Sequence, residues 1–407
     1  MDLELRKERT NHMRPLASLR ILDLTNGNPY PGSLFADYGA EVWKIEPPGR
    51  GDPIRRRGGA GADADGPYQS YYNRNKKSVT LDITQPAGQE VLRRLAASCD
   101  MLVANTPEAR LAQLGLGFEQ LRARNAKLVY GVLTPFGEAG PWKDLPDYDL
   151  LIMARTGLLE KTGLPDKPTR IGCPLSYYYG AWHLTAGMMA AWLDAQDSGE
   201  GRKVSVSCWQ AICSIDDTYV QGLQGLNVLP RRIGNGFPTT NPTDTFQCKN
   251  GWFALSIGSD AQWLAFAAGA GRDDWGEGTV YAHDPDRSMK HYFGELDGQL
   301  RDYFRSITIE EADRICREAM VPGGPCNTVR ELMDDEQVAA RHMLLEVEDP
   351  VLGKVTQLGK PAKFLRDAEG DDAVDPAPAL GAHTDRVLAG LGMAEQEISD
   401  LRRRGAI

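Results

Sequence analysis

"RILDLTNGNPYPGSLFADYGAEVWKIE", residues 20–46, decides the fold. "RILDLT" alternates as a strand does, "NGNPYPG" breaks it with glycine, proline and asparagine, "SLFADYGA" is a short helix ending near Gly39, and "EVWKIE" is a second strand. Strand, turn, helix and strand in so few residues make a βαβ unit of a parallel sheet. The turn has no GxGxxG, so the unit is not a dinucleotide site.

The pattern repeats downstream. "SVTLDI" (78–83), "MLVANT" (101–106) and "LVYGVLT" (128–134) read as strands, and "PAGQEVLRRLAASC" (86–99), "EARLAQLG" (108–115) and "FEQLRARN" (118–125) as helices. The fold class is therefore α/β, built on a parallel sheet. Ligands of such sheets lie beyond the carboxyl ends of the strands, here at Asn26 to Asn28, Asn105–Thr106 and Thr134 to Gly137. "IGCPLSYYYGAWHL" (171–184) reads as a strand-like lead-in to Pro174, three tyrosines, and a helix opened by Gly180.

After about residue 200 the texture changes. "RKVSVSCWQAICSIDDTYVQGLQGL" (202–226) reads as a helix leaving the first domain, and "RIGNGFPTTNPTDTF" (232–246) as a loop. "QCKNGWFALSI" (247–257) reads as a hairpin turning on Asn250-Gly251. The tail from 378 carries two amphipathic helices, starting at Thr384 and near Ala394.

Composition sets limits. At 407 residues the chain is longer than the ~250–300 that one core usually serves, so two domains are expected. Net charge is −10, which gives no reason for a nucleic-acid partner, although "RGDPIRRRG" and "NRNKKS" could hold a phosphate-rich small molecule. Seven scattered cysteines without a CxxC pair read as buried thiols of a reducing cytoplasm, with no metal site. The charged start has no apolar core of a signal peptide, and no stretch reaches the ~18 apolar residues of a membrane span.

Seven stretches, in order, resemble the class III CoA-transferases, the formyl-CoA and carnitine-CoA transferase group. They are "LRILDLT" with "LFADYGAEVWKIEPPGRGDPIRR", "YYNRNKKSVTLDI", "LAQLGLGFEQLRARNAKLVYGVLTPFGEAGPW", "YDLLIMARTGLLEKTG", "DSGEGRKVSVS", "DEQVAARHM" and "PALGAHTDRVL". The resemblance spans about residues 18–407. It implies a large doubly wound, Rossmann-like domain of residues 1–215, a smaller α+β domain with linkers at 216–345, and a return linker with C-terminal helices of the large domain at 346–407, in an interlocked dimer.

It also implies chemistry: an aspartate attacks an acyl-CoA thioester and carries CoA between carboxylic acids. Counting back ten residues from Gly187 puts that aspartate's seat at Tyr177. A phenol titrates near pH 10, so only about 0.1% is phenoxide at neutrality, and it forms no acid anhydride. No catalytic residue is expected in this chain. The related racemases' acid–base seats fall at Tyr148, Tyr177 and Gln247, none of which titrates near neutrality, so racemisation is excluded.

The resemblance assigns CoA contacts to Asn28, Arg74, Lys76, Asn105 and Thr106, and the substrate pocket to Tyr148, Tyr177 and Tyr178. The CoA cradle is eroded, because Thr106 and Gln113 replace an aromatic residue and an arginine. The plainer readings are a solvated turn for "NRNKKS" and core or interface packing for the tyrosines. Three functions stay open. One is the non-nucleophilic subunit of a heteromeric CoA-transferase of the benzylsuccinate kind, with a homologous aspartate-bearing partner and acyl-CoA as substrate. The others are a self-sufficient acyl-CoA isomerase, hydratase or lyase, and a silent acyl-CoA-binding regulator.

Overall fold

The structure is a computed structural model and describes residues 14–61, 64–215, 217–227, 229, 231–236, 241–364 and 373–407. The charged start and part of the 232–246 loop lie outside these residues. The chain forms two compact units: residues 1–157, 171–220 and 336–407 make the first, and 158–170 with 221–335 the second. The sequence reading kept 158–170 in the large domain. They group instead with the smaller unit, where the Arg232 guanidinium donates to the Glu160 carboxylate at 3.0 Å and to the Leu164 carbonyl at 3.2 Å.

The first unit is built on six parallel strands: β1 (Arg20–Leu24), β2 (Glu41–Glu46), β3 (Lys76–Thr80), β4 (Met101–Ala104), β5 (Val129–Thr134) and β6 (Lys203–Ser207). Their order across the sheet is β3-β2-β1-β4-β5-β6. Here one expectation fails. "KVSVS" is an edge strand paired with β5, not the start of a helix, because alternating Val204 and Val206 suit a pleated surface. The helices Cys208–Ser214 and Asp217–Leu226 begin only after it.

Both sheet faces are buried, and strand periodicity assigns each residue to a face. In β4, Met101 and Val103 enter one core while Leu102 and Ala104 enter the other. The first core is closed by α1 (Tyr30–Asp37) and by α2 (Leu175–Ser198), whose Ala181, Leu184, Met188 and Ala191 recur at helical spacing. The second is closed partly by the end of the chain: Val387, Leu388, Ile398, Leu401 and Ala406 pack among residues of β1 to β5.

α2 starts five residues earlier than Gly180. Its first five residues include all three tyrosines, and Pro174 precedes it. Asp149 supplies the cap from another segment, accepting from the Ser176 N–H at 2.9 Å and the Ser176 hydroxyl at 2.7 Å. Gly180 serves packing: a Cβ there would stand 2.8 Å from Leu133 Cδ1 and 3.0 Å from Cys208 Sγ.

The second unit pairs β7 (Thr243–Cys248) with β8 (Gly251–Ser256), and β8 with β9 (Gly323–Pro325), all antiparallel. Cys248 faces Gly251, so the hairpin turns on Lys249-Asn250, one residue before the expected pair. Trp263, Phe266, Trp275 and Phe304 fill its core.

Candidate active site

Strand order reverses between β1 and β4, and the crevice beyond their carboxyl ends is where sheets of this order take ligands. The loop after β1 carries Asn26, Gly27 and Asn28. The loop after β4 carries Asn105 and Thr106. Asn105 ties the two: its amide oxygen accepts from the Asn26 N–H, and its amide nitrogen donates to the Asn26 carbonyl, both at 2.8 Å. Gly27, with φ of 75°, donates its N–H to Asp52 at 2.8 Å. Asn28 and Thr106 stand half-buried at this rim.

Beneath it lies a buried ion cluster. Lys76 Nζ is 2.9 Å from Asp23 Oδ2, and Lys44 Nζ is 2.8 Å from Asp52 Oδ2 and 3.8 Å from Asp23 Oδ1. Arg55 grips Glu46 through two nitrogens at 2.6 and 2.7 Å, and Ser78 donates to the same carboxylate. Burial pushes the Asp23, Asp52 and Glu46 carboxyls up. The facing lysines hold Asp23 and Asp52, and Arg55 holds Glu46, below the ordinary carboxylate range on balance. Burial pushes the Lys76 ammonium down.

Groups lowered in this way contribute stability that is complete above their unfolded values and lost as pH falls through the folded ones. Thermal melts are therefore expected to be level from pH 7 to about 5 and to drop steeply below about pH 4. A melting temperature unchanged down to pH 3 would contradict it.

Of the cations that the resemblance assigns to CoA, neither is presented at the surface. Lys76 is committed to Asp23. Arg74 is buried with its guanidinium on Asp37 at 2.7 and 2.9 Å and on the Leu358 carbonyl at 2.7 Å. The sequence showed the charges, but it did not show the carboxylates that face them 53 and 37 residues away.

The hydroxyl of Tyr177, which the resemblance puts at the nucleophile's seat, donates to Asp147 Oδ2 at 2.7 Å. Burial, this hydrogen bond and the neighbouring charges of Asp147 and Asp149 raise its pKa far above that of a free phenol. Tyr148, between the two aspartates, is exposed. Asp147 escaped the sequence reading, although it lies beside the "YDLL" segment already singled out.

Tyr178, one residue on, faces elsewhere. It lines a cavity of about 650 Å³ together with Tyr30, Tyr68, Tyr71, Tyr72 and Trp182, while Tyr148 and Tyr177 do not line it. The Tyr72 and Tyr178 hydroxyls are hydrogen-bonded to each other. Tyr30 packs on Tyr178 with ring centroids 4.5 Å apart, and burial together with Tyr178 pushes its hydroxyl up to about 12. The run of tyrosines in "YQSYY" was the available signal for this wall; its meeting with α1 and α2 was not.

The family model of CoA-transferase family III matches residues 16–384. The chain belongs to that family. Class III relatives match it end to end. A succinyl-CoA–D-citramalate CoA-transferase of Chloroflexus aurantiacus is 29% identical over 399 residues, covering 97% of this chain and 98% of its own. The succinyl-CoA–L-malate CoA-transferase beta subunit of the same organism is 28% identical, covering 97% and 98%. A formyl-CoA:oxalate CoA-transferase of Afipia carboxidovorans is 30% identical, covering 97% and 98%.

The crystal structure of a CAIB/BAIF family protein from Brucella suis superposes with a TM-score of 0.81 at 26% identity, covering 93% of this chain and all of that one. The parallel α/β fold of the class III family is thus shared, and the chain is a CoA-transferase whose substrates are acyl-CoA and carboxylic acids. Among the described residues no His, Cys, Asp and Glu gather as a metal-binding group, and no helix is long and apolar enough to cross a membrane.

Proposed function

We propose that this chain is the non-nucleophilic subunit of a heteromeric class III CoA-transferase. An interlocked, homologous subunit supplies the attacking aspartate, in a cytoplasmic enzyme of anaerobic aromatic degradation. The acids exchanged are aromatic or dicarboxylic, benzylsuccinate being the type. One observation supports the reading: Tyr177, which the resemblance puts at the nucleophile's seat, is a phenol whose hydroxyl donates to Asp147.

The chemistry explains why that matters. A carboxylate attacking an acyl thioester gives a mixed anhydride and frees CoA thiolate. The thiolate then attacks the enzyme's own carbonyl, releasing the first acid and leaving CoA on the protein, and the second acid's carboxylate collects it by the reverse steps. An acylated phenol has only the substrate's carbonyl to offer, so returning thiolate regenerates the starting acyl-CoA. CoA cannot be parked on Tyr177. A relative named as a beta subunit is consistent with division of labour between homologous chains.

Within this chain, Asn28 and Thr106 are the residues of the assigned CoA set left at the crevice rim, with Lys76, Arg74 and Asn105 engaged internally. This subunit's own hold on CoA is accordingly weak.

With the partner co-expressed, Tyr177→Phe is expected to keep transferase activity within a few-fold, since a net hydrogen bond is worth about 0.5–1.5 kcal/mol. Hydroxylamine trapping during turnover, followed by peptide mass analysis, should place the hydroxamate on the partner's aspartate. A label on Asp147 would overturn the reading, as would a loss of about 10²–10⁴ in rate with assembly intact.

A further inference from the structure

We infer that the tyrosine-walled cavity takes the uncharged aryl end of the acid substrate and rejects an ionised tail, so that this subunit selects aryl acids over small dicarboxylates. This rests on the transferase reading above and decides between its two classes of acid.

About 650 Å³ lies within the range of ligand cavities, and its wall is mostly ring and aliphatic carbon. Tyr178 and Trp182 lie nearly parallel, with centroids 6.3 Å apart and planes at 29°, and Tyr30 meets Tyr72 edge-on at 4.8 Å. Such a set offers both faces and edges to a further ring.

Charge then narrows the occupant. Among the described residues lining the cavity there is no lysine, arginine or histidine. Its one carboxylate, Asp37, is already neutralised by the fork of Arg74 and by Asn75 Nδ2 at 2.9 Å. Gln357 is spent on the Ser70 hydroxyl at 2.8 Å, and Tyr72 on Tyr178. With no cation among the described lining residues, a second carboxylate seated deep in the cavity would lose its water without a facing charge, which is the costly case of an unpaired buried charge. An organic cation is served no better, because Tyr68 and Tyr71 already carry the guanidiniums of Arg57 and Arg74 at 4.5 and 4.6 Å. A neutral ring is left. Relatives named for succinate, malate, citramalate or glutarate have small dicarboxylic acids in their names, and an aryl preference would set this chain apart from them.

The test is binding to the isolated full chain, which requires neither partner nor turnover. Saturation-transfer NMR and calorimetry with 3-phenylpropionate and succinate are expected to show the aryl acid bound at least about tenfold more tightly, with transfer concentrated on ring protons. Filling the cavity with Leu175→Trp, and independently with Val355→Trp, should remove that preference in whichever variant retains the wild-type melting temperature. Equal or tighter succinate binding overturns the inference, and so does aryl binding undiminished in a folded, filled variant. A co-expressed pair that transfers CoA while the chain ignores aryl acids would sink this inference alone. A chain that binds aryl acids but finds no partner supports it and removes only the heteromer.

Discussion

Lys76→Ala is expected to cost about 3 kcal/mol or more of folding stability, the lower end of what breaking a buried ion pair costs. The ammonium and the Asp23 carboxylate are both fully shielded, 2.9 Å apart. Deleting one leaves the other charged in a poorly polarisable place, with only Lys44 at 3.8 Å and the Thr25 N–H and hydroxyl to hold it. Lys76→Met removes the charge while filling most of the space, and should cost nearly as much. That outcome separates electrostatics from cavity formation. Adding Asp23→Asn to Lys76→Met should recover part of the loss, because the orphaned charge is then gone. Denaturant titration reads all three variants. A loss under about 1 kcal/mol would mean that the lysine is solvated and available to a ligand.

The second large effect is expected in the smaller unit. Trp263 is completely buried, its indole N–H donates to the Trp275 carbonyl at 2.9 Å, and its ring packs 5.6 Å from that of Trp275. Trp263→Ala removes a large buried ring and leaves that carbonyl unpaired, at about 3–5 kcal/mol. Hydrogen exchange in β7 and β8 should then quicken by roughly two to three orders of magnitude. Trp252 lies on β8 of the same unit but is 48% exposed, and Trp252→Ala should change stability by about 0.5 kcal/mol or less. Equal effects of the two would show that Trp263 is not a core residue in solution.

How far the sequence could be read depended on the distance over which each feature is encoded. β1, α1 and β2 were legible because period-two hydrophobicity and glycine–proline punctuation are local signals. β6 was not, since "KVSVS" is five residues joined directly to a helix, and only its pairing with β5 makes it a strand. The early start of α2 depended on Asp149, 27 residues away.

Register with a family is what points to Tyr177 as the nucleophile's seat, whereas its bond to Asp147 spans 30 residues and carries no sequence signature. The charges of "NRNKKS" illustrate the same limit. They read as a ligand cradle, and the fold turns Arg74 and Lys76 inward onto Asp37 and Asp23. The cavity needed four separate segments to meet, and nothing local announces that.

The packing of the last residues bears on how the protein is made. The Ala406 carbonyl accepts the Asp82 N–H at 2.8 Å, and Leu388, Ile398, Leu401 and Ala406 complete a core whose strands end at Thr134. A ribosome adding about 5–20 residues per second finishes those strands tens of seconds before it supplies their cover. During that interval the part of this face that Pro86–Ala97 and its neighbouring helices leave open is bare apolar surface, tethered and unable to close. That surface needs shielding while the chain grows, and removing residues 396–407 would leave part of it open for good.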